Sequence, residues 1–112
     1  MNFKTLFSYV CLFVFLLFAF FQWNDPDPQI WIPLYLIPAV LTVLSHKKRI
    51  AVSALFTAAL VYTLWGASLF PPEWEGVMLN QGMKTLNIEL GRESLGLVTA
   101  AILLAIQGFL NK

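Results

Sequence analysis

Apolar residues along this chain fall into four blocks separated by short polar turns. The first block runs from Leu6 to Phe21 with Ser8 as its one polar member, and extension through Trp23 brings it to the ~20 residues that cross a ~30 Å hydrocarbon core. Trp23 then falls where an interfacial aromatic belongs. A basic residue, Lys4, followed by an apolar run is also how a secretory signal peptide begins. The block ends Ala19-Phe20-Phe21-Gln22-Trp23, aromatic where cleavage needs small residues, so the pattern predicts a retained helix. The second block, Ile30 to Leu44, contains Pro33 in its opening turn and Pro38 in its interior. The interior proline is expected to kink the helix and to free a carbonyl, which inside a membrane needs a new partner. The third block, Ile50 to Phe70, is twenty-one residues without a charge, closed by Pro71-Pro72. The fourth, Leu95 to Leu110, follows a charged first turn containing Glu89, Arg92 and Glu93.

These blocks predict an all-α fold: a four-helix transmembrane bundle forming one domain over residues 1–112, with helices at about 5–23, 29–45, 50–70 and 88–110. Between the third and fourth helices, Trp74, Val77, Met78 and Leu79 alternate irregularly with Glu73, Glu75 and Lys84, which predicts a short interfacial segment. Small residues recur three or four apart. Ala51, Ala54 and Ala58, then Ala59, Thr63 and Ala67, mark possible seams on the third helix; Gly96 with Ala100 and Ala101 with Ala105 do so on the fourth. Such seams let backbones approach closely, so the third and fourth helices are expected to pack together and the Phe-rich first helix to face lipid.

Composition agrees with the pattern. Of 112 residues 59% are hydrophobic and 12% charged, with a mean hydropathy of +0.74, against a charged share of about a quarter in soluble domains. The net charge of +1 hides a segregation along the chain. Lys4, Lys47, Lys48, Arg49 and Lys112 fall on one side of the predicted topology, Lys84 and Arg92 on the other, so the positive-inside rule predicts a cell-membrane protein with both termini cytoplasmic. All six acids then lie outside, giving that face −4 against +5 within.

Several chemistries are excluded. The short basic run at Lys47-Lys48-Arg49 is explained by topology, and no nucleic-acid partner is expected. His46, the sole histidine, is on the side opposite to every acid, so a Ser-His-Asp triad cannot assemble. No H-E-x-x-H pattern, phosphate-binding glycine loop or dinucleotide fingerprint occurs. Cys11, the single cysteine, offers neither a disulfide framework nor a thiolate metal site. No cofactor or metal is expected, and the chain reads as non-enzymatic. What remains is a polar cluster: Asn24, Asp25 and Asp27 from the first turn, and Glu89, Arg92 and Glu93 at the head of the fourth helix. Its oxygen-rich composition suits a hard cation, a proton or a polar ligand. The same residues can equally pair with one another to lock helices, Arg92 with Glu89 on its own helix or across to Asp25 and Asp27.

Gln22-x-Asn24-Asp25-Pro26-Asp27, followed by Trp31, Tyr35 and Pro38-Ala39-Val40-Leu41, and then Glu89-x-x-Arg92-Glu93 leading into Gly96-Leu97-Val98, resembles the transmembrane protein 220 family. The two motif blocks cover roughly half of the chain. The resemblance implies a small multi-pass membrane protein and singles out the same charged residues, but it supplies no reaction. Partners are expected to be the lipid bilayer and other membrane subunits or further copies of the chain. The two readings left open are a bundle or accessory subunit of a membrane complex, and a binder or carrier of a small cation, proton or polar ligand.

Overall fold

In the computed structural model the described residues are 2–24, 27–70 and 86–111, and among them are four α-helices and no strand. Three are long and apolar enough to cross a membrane: α1 (Phe3–Phe21), α2 (Pro28–His46) and the Leu90–Leu110 part of α4 (Leu86–Leu110). The helix between them, α3 (Val52–Ser68), is shorter.

Each helix ends where local chemistry stops it. Asn2 caps α1 by accepting the Thr5 N–H at 2.9 Å, and the helix tightens into a 3-10 turn over Gln22–Asn24, where the Gln22 amide donates to the Phe18 carbonyl at 3.1 Å. Pro28 opens α2 at a position where its missing N–H costs nothing, while the Asp27 carbonyl takes the Ile30 and Trp31 N–H groups. The far end of α2 closes with Lys48 in the left-handed region at φ 58°, so that Lys48 N–H reaches Ser45 and Arg49 N–H reaches Leu44.

The third helix corrects its sequence expectation. Instead of running from 50 to 70 it ends at Ser68, and Leu69 and Phe70 donate to Gly66 and Ala67 in a tightened turn. Pro71 explains this, because its ring disfavours α conformation in the residue before it. At 17 residues α3 spans about 26 Å. The interfacial segment expected ahead of α4 lies outside the described residues as far as position 85.

The most extensive interfaces are α3 against α4 and α1 against α2, so the chain folds as two helical hairpins, and α4 also touches both α1 and α2. Each helix buries a narrow stripe. On α1 it is Ser8, Cys11, Phe15 and Ala19; on α2, Trp31, Tyr35, Pro38, Ala39, Thr42 and Ser45; on α3, Leu55, Ala59, Tyr62 and Gly66. The α4 stripe includes Leu97, Ala100, Ala101, Leu104 and Gln107. Many of the other apolar residues face outward, Phe13 at 65% and Phe20 at 73% exposure among them, as a lipid-facing surface requires.

Small residues do bring α3 and α4 together, but not all of those singled out from spacing. Ala59, Ala100 and Ala101 are buried, whereas Ala51, Thr63 and Ala67 are exposed. Glycines also mark close approaches. A Cβ on Gly66 would lie 2.9 Å from Val98 Cγ2 and 3.1 Å from the Ser94 carbonyl, and one on Gly108 would meet the Phe56 ring at 2.8 Å. Enlarging the fully buried Ala100 to Leu is therefore expected to destabilise the protein by about 1–3 kcal/mol. Phe13→Leu, on the exposed face of α1, is expected to stay within about 0.5 kcal/mol. Thermal unfolding in detergent measures both, and equal tolerance at the two positions would contradict this packing.

Candidate functional site

The helices alternate in direction, which sorts the charged residues to two ends of the bundle. His46 closes α2 and packs with its ring tilted at 5.8 Å against Tyr9 near the start of α1, while Asp27 precedes the first residue of the same 19-residue helix. The two are separated by about 28 Å along the α2 axis, too far for a histidine–acid pair. Among the described residues no group of three His, Cys, Asp or Glu converges in a way that could hold a metal ion.

At the acidic end the structure describes three of the six cluster residues in full. Asp27 is half-buried, Arg92 is partly buried and Glu93 is 7% exposed; Asp27 and Glu93 each have an interaction partner. Asp25 and the side chains of Asn24 and Glu89 lie outside the described residues. Helix α4 presents Arg92 to the ends of α1 and α2, where it borders a cavity of about 180 Å³ together with Phe18, Phe21, Gln22, Tyr35 and Thr99. The Arg92 Nη1 is buried and has no hydrogen-bond partner among the described residues. The neighbouring Ser94 faces the other way and donates to the Gly66 carbonyl of α3 at 2.7 Å. Nothing in the sequence marks this cavity, because its walls come from three helices.

Inside the bundle the polar groups are tied helix to helix. Pro38 lacks the N–H that would bond the Leu34 carbonyl, and the Tyr62 hydroxyl of α3 donates to that oxygen at 2.5 Å. One turn further along, the Thr42 hydroxyl donates to the Pro38 carbonyl at 2.8 Å and accepts from the Gln107 amide of α4 at 3.1 Å. Asn111 reaches from the end of α4 to Ser45 at 2.8 Å. The Cys11 thiol of α1 also approaches Gln107, although the Gln107 Oε1 is buried without a well-directed hydrogen bond among the described residues.

Sequence reasoning passed over Thr42 and Gln107. Thr63 and Ser68 bond carbonyls of their own helix, at Ala59 and Trp65, and carry nothing between helices. Gln107 had a readable signal. It is the one amide in the apolar run of α4, and it follows Ala100 by two turns, on the buried face.

A second cavity, about 550 Å³, opens at the basic end among Lys4, Ser8, Ser45, His46, Lys48 and Asn111. The described residues thus provide ties between helices and one partly buried arginine beside a cavity.

The family described as transmembrane family 220, helix, has a model that matches residues 14–109, nearly the whole chain. No solved structure matches the chain.

The expected tie between Arg92 and the turn at 25–27 makes a definite thermodynamic claim. Arg92→Ala and Asp25→Ala should each lower the yield of folded protein, and Lys should restore position 92 only in part because an ammonium lacks the planar fork. In the double variant the losses should overlap, with a coupling energy of about 0.5–3 kcal/mol. Strictly additive losses would place the partners of Arg92 elsewhere.

Proposed function

The chain belongs to the transmembrane 220 family, and on that premise we propose that it is a non-enzymatic helical bundle that associates with itself or serves as an accessory subunit of a membrane complex. One observation carries the reading: the Tyr62, Ser94 and Gln107 hydrogen bonds each run from one helix to another. Polar groups in hydrocarbon that are committed to holding helices together do not line a path for a solute. The outward surface is apolar along α1 and α2, with Phe13, Leu16, Ile37 and Val40 exposed, as contact with lipid or with another membrane subunit requires. Residence in the cell membrane with cytoplasmic termini follows from the five-to-two distribution of basic residues.

The second reading, ligand recognition at the acidic end, has the cavity beside Arg92 in its favour. A cation is the poorer candidate for that cavity, since the charge on its wall is a guanidinium.

Native mass spectrometry of the full chain, released from its own membrane in a mild detergent, separates the readings. A homo-oligomer or a stoichiometric second subunit is expected, and a monomer carrying only a bound small molecule would overturn the first reading in favour of the second. Orientation is tested by a cysteine introduced at Asn80. In intact cells it is expected to react with an impermeant maleimide, while labelling only after permeabilisation would invert the topology.

A further inference from the structure

We infer that the cavity at the acidic end is a binding site for an anionic amphiphile, an oxyanion head on an acyl chain, with the head on Arg92 and the chain leaving between α1 and α4 into the bilayer. This inference rests on the cavity alone and stands whether or not the chain is a subunit of a complex.

The first support is the guanidinium. Arg92 lines the cavity, and its Nη1 is buried without a hydrogen-bond partner among the described residues. A buried charged donor left in that state is costly, and an oxyanion is the ligand that relieves it most strongly. The remaining donors of the guanidinium are enough for a tie to the neighbouring turn as well.

The second support is the composition of the walls. Gln22 and Thr99 add two groups able to donate to an oxyanion, while Phe18, Phe21 and Leu95 make the rest of the lining apolar. A small hydrated ion would leave those aromatic walls unused. An acyl chain would cover them.

The third support is access. Phe21 and Leu95, which border the cavity from α1 and α4, are 38% and 42% exposed on the lipid-facing surface, so the mouth lies between two helices and not on the bundle axis. At about 180 Å³ the cavity is smaller than the ~300–1,000 Å³ of sites that engulf a whole drug-sized ligand. It has room for a head and the first part of a chain, with the remainder in lipid. Gly96 makes room for the Tyr35 hydroxyl at the cavity wall, since a Cβ there would collide with it, and the Tyr35 ring is itself held edge-on by Phe18 at 5.5 Å.

Photolabelling of the full chain in dodecyl maltoside micelles, which carry no phosphate of their own, tests the site. Three probes share one diazirine-bearing hydrocarbon chain: a free fatty acid, a phosphatidylglycerol and the uncharged fatty alcohol. Labelling of the peptides containing Phe21 or Leu95 is expected to be about tenfold stronger for an anionic probe than for the alcohol, as one charge-assisted contact allows. Arg92→Gln should bring it down to the alcohol level. Thr99→Trp, which fills the cavity and leaves Arg92 in place, should abolish it in a chain that still elutes as folded protein, so the test survives if Arg92→Gln fails to fold. Preference for the carboxylate or for the phosphodiester identifies the lipid source, and either supports the site. Equal labelling by all three probes would overturn the inference, as would labelling unchanged by Thr99→Trp. Competition by inorganic phosphate as effective as by the unlabelled amphiphile would also overturn it, showing a site that reads an ion alone.

Discussion

Inside hydrocarbon a backbone carbonyl with no donor costs several kcal/mol, and this chain creates one by placing Pro38 in the middle of α2. The oxygen left open is that of Leu34, and the group that meets it is the Tyr62 hydroxyl, from the middle of α3. The contact does more than repair α2. The two hairpins, α1–α2 and α3–α4, are each held by extensive packing, but α2 and α3 bring their backbones together very little although they are consecutive in the chain. Long side chains bridge them, Tyr62 to Leu34 and Trp31 against Trp65 at 6.2 Å. A local defect in one helix thereby fixes how one hairpin sits on the other.

The other ties follow the same economy of unmet groups. Ser94 takes the Gly66 carbonyl where a glycine lets α4 approach α3, and Gln107 bonds the Thr42 hydroxyl that already holds the Pro38 carbonyl. Asn111 and Ser45 close the basic end. Three of these four ties begin on α4, the helix that also contacts α1, so α4 is the hub of the bundle. Lipid tails are as apolar as the helix surfaces, so burial of Leu and Phe gives little reason for helices to associate. Close approach and hydrogen bonds supply that reason. Among the described residues, the buried polar side chains are largely committed internally, and the Arg92 Nη1 and the Gln107 Oε1 are the buried side-chain atoms without a hydrogen-bond partner.

The four helices were legible because apolar runs of membrane-spanning length leave few alternatives, and the open carbonyl was legible because an interior proline always makes one. The donor was not. Tyr62 reads in the sequence as one more aromatic, and only the crossing of α2 and α3 brings its hydroxyl to Leu34. The small-residue seams show the same limit. Spacing of three or four marks a stripe on α3 but cannot say which of two stripes turns inward, and the one through Leu55, Ala59, Tyr62 and Gly66 is buried while Thr63 and Ala67 face out. Glycines 66 and 108 also set close approaches, at positions the predicted seams did not include. At the acidic end the chemistry of Arg92 and Glu93 could be read from the residues, whereas the cavity could not, since α1, α2 and α4 each contribute part of its wall.

The central claim is that the carbonyl opened by Pro38 is what gives the Tyr62 hydroxyl its value. A double-mutant cycle tests it, with unfolding free energies measured in a bilayer for Tyr62→Phe, Pro38→Ala and the pair. Tyr62→Phe in the native background should cost about 1–2 kcal/mol, toward the upper end of interhelical hydrogen bonds in membranes. With Pro38→Ala present, a backbone N–H at position 38 takes the Leu34 oxygen, and the same loss of the hydroxyl should cost close to nothing. An identical cost in the two backgrounds would mean that the tyrosine and the proline act independently, and the account would be wrong at its centre.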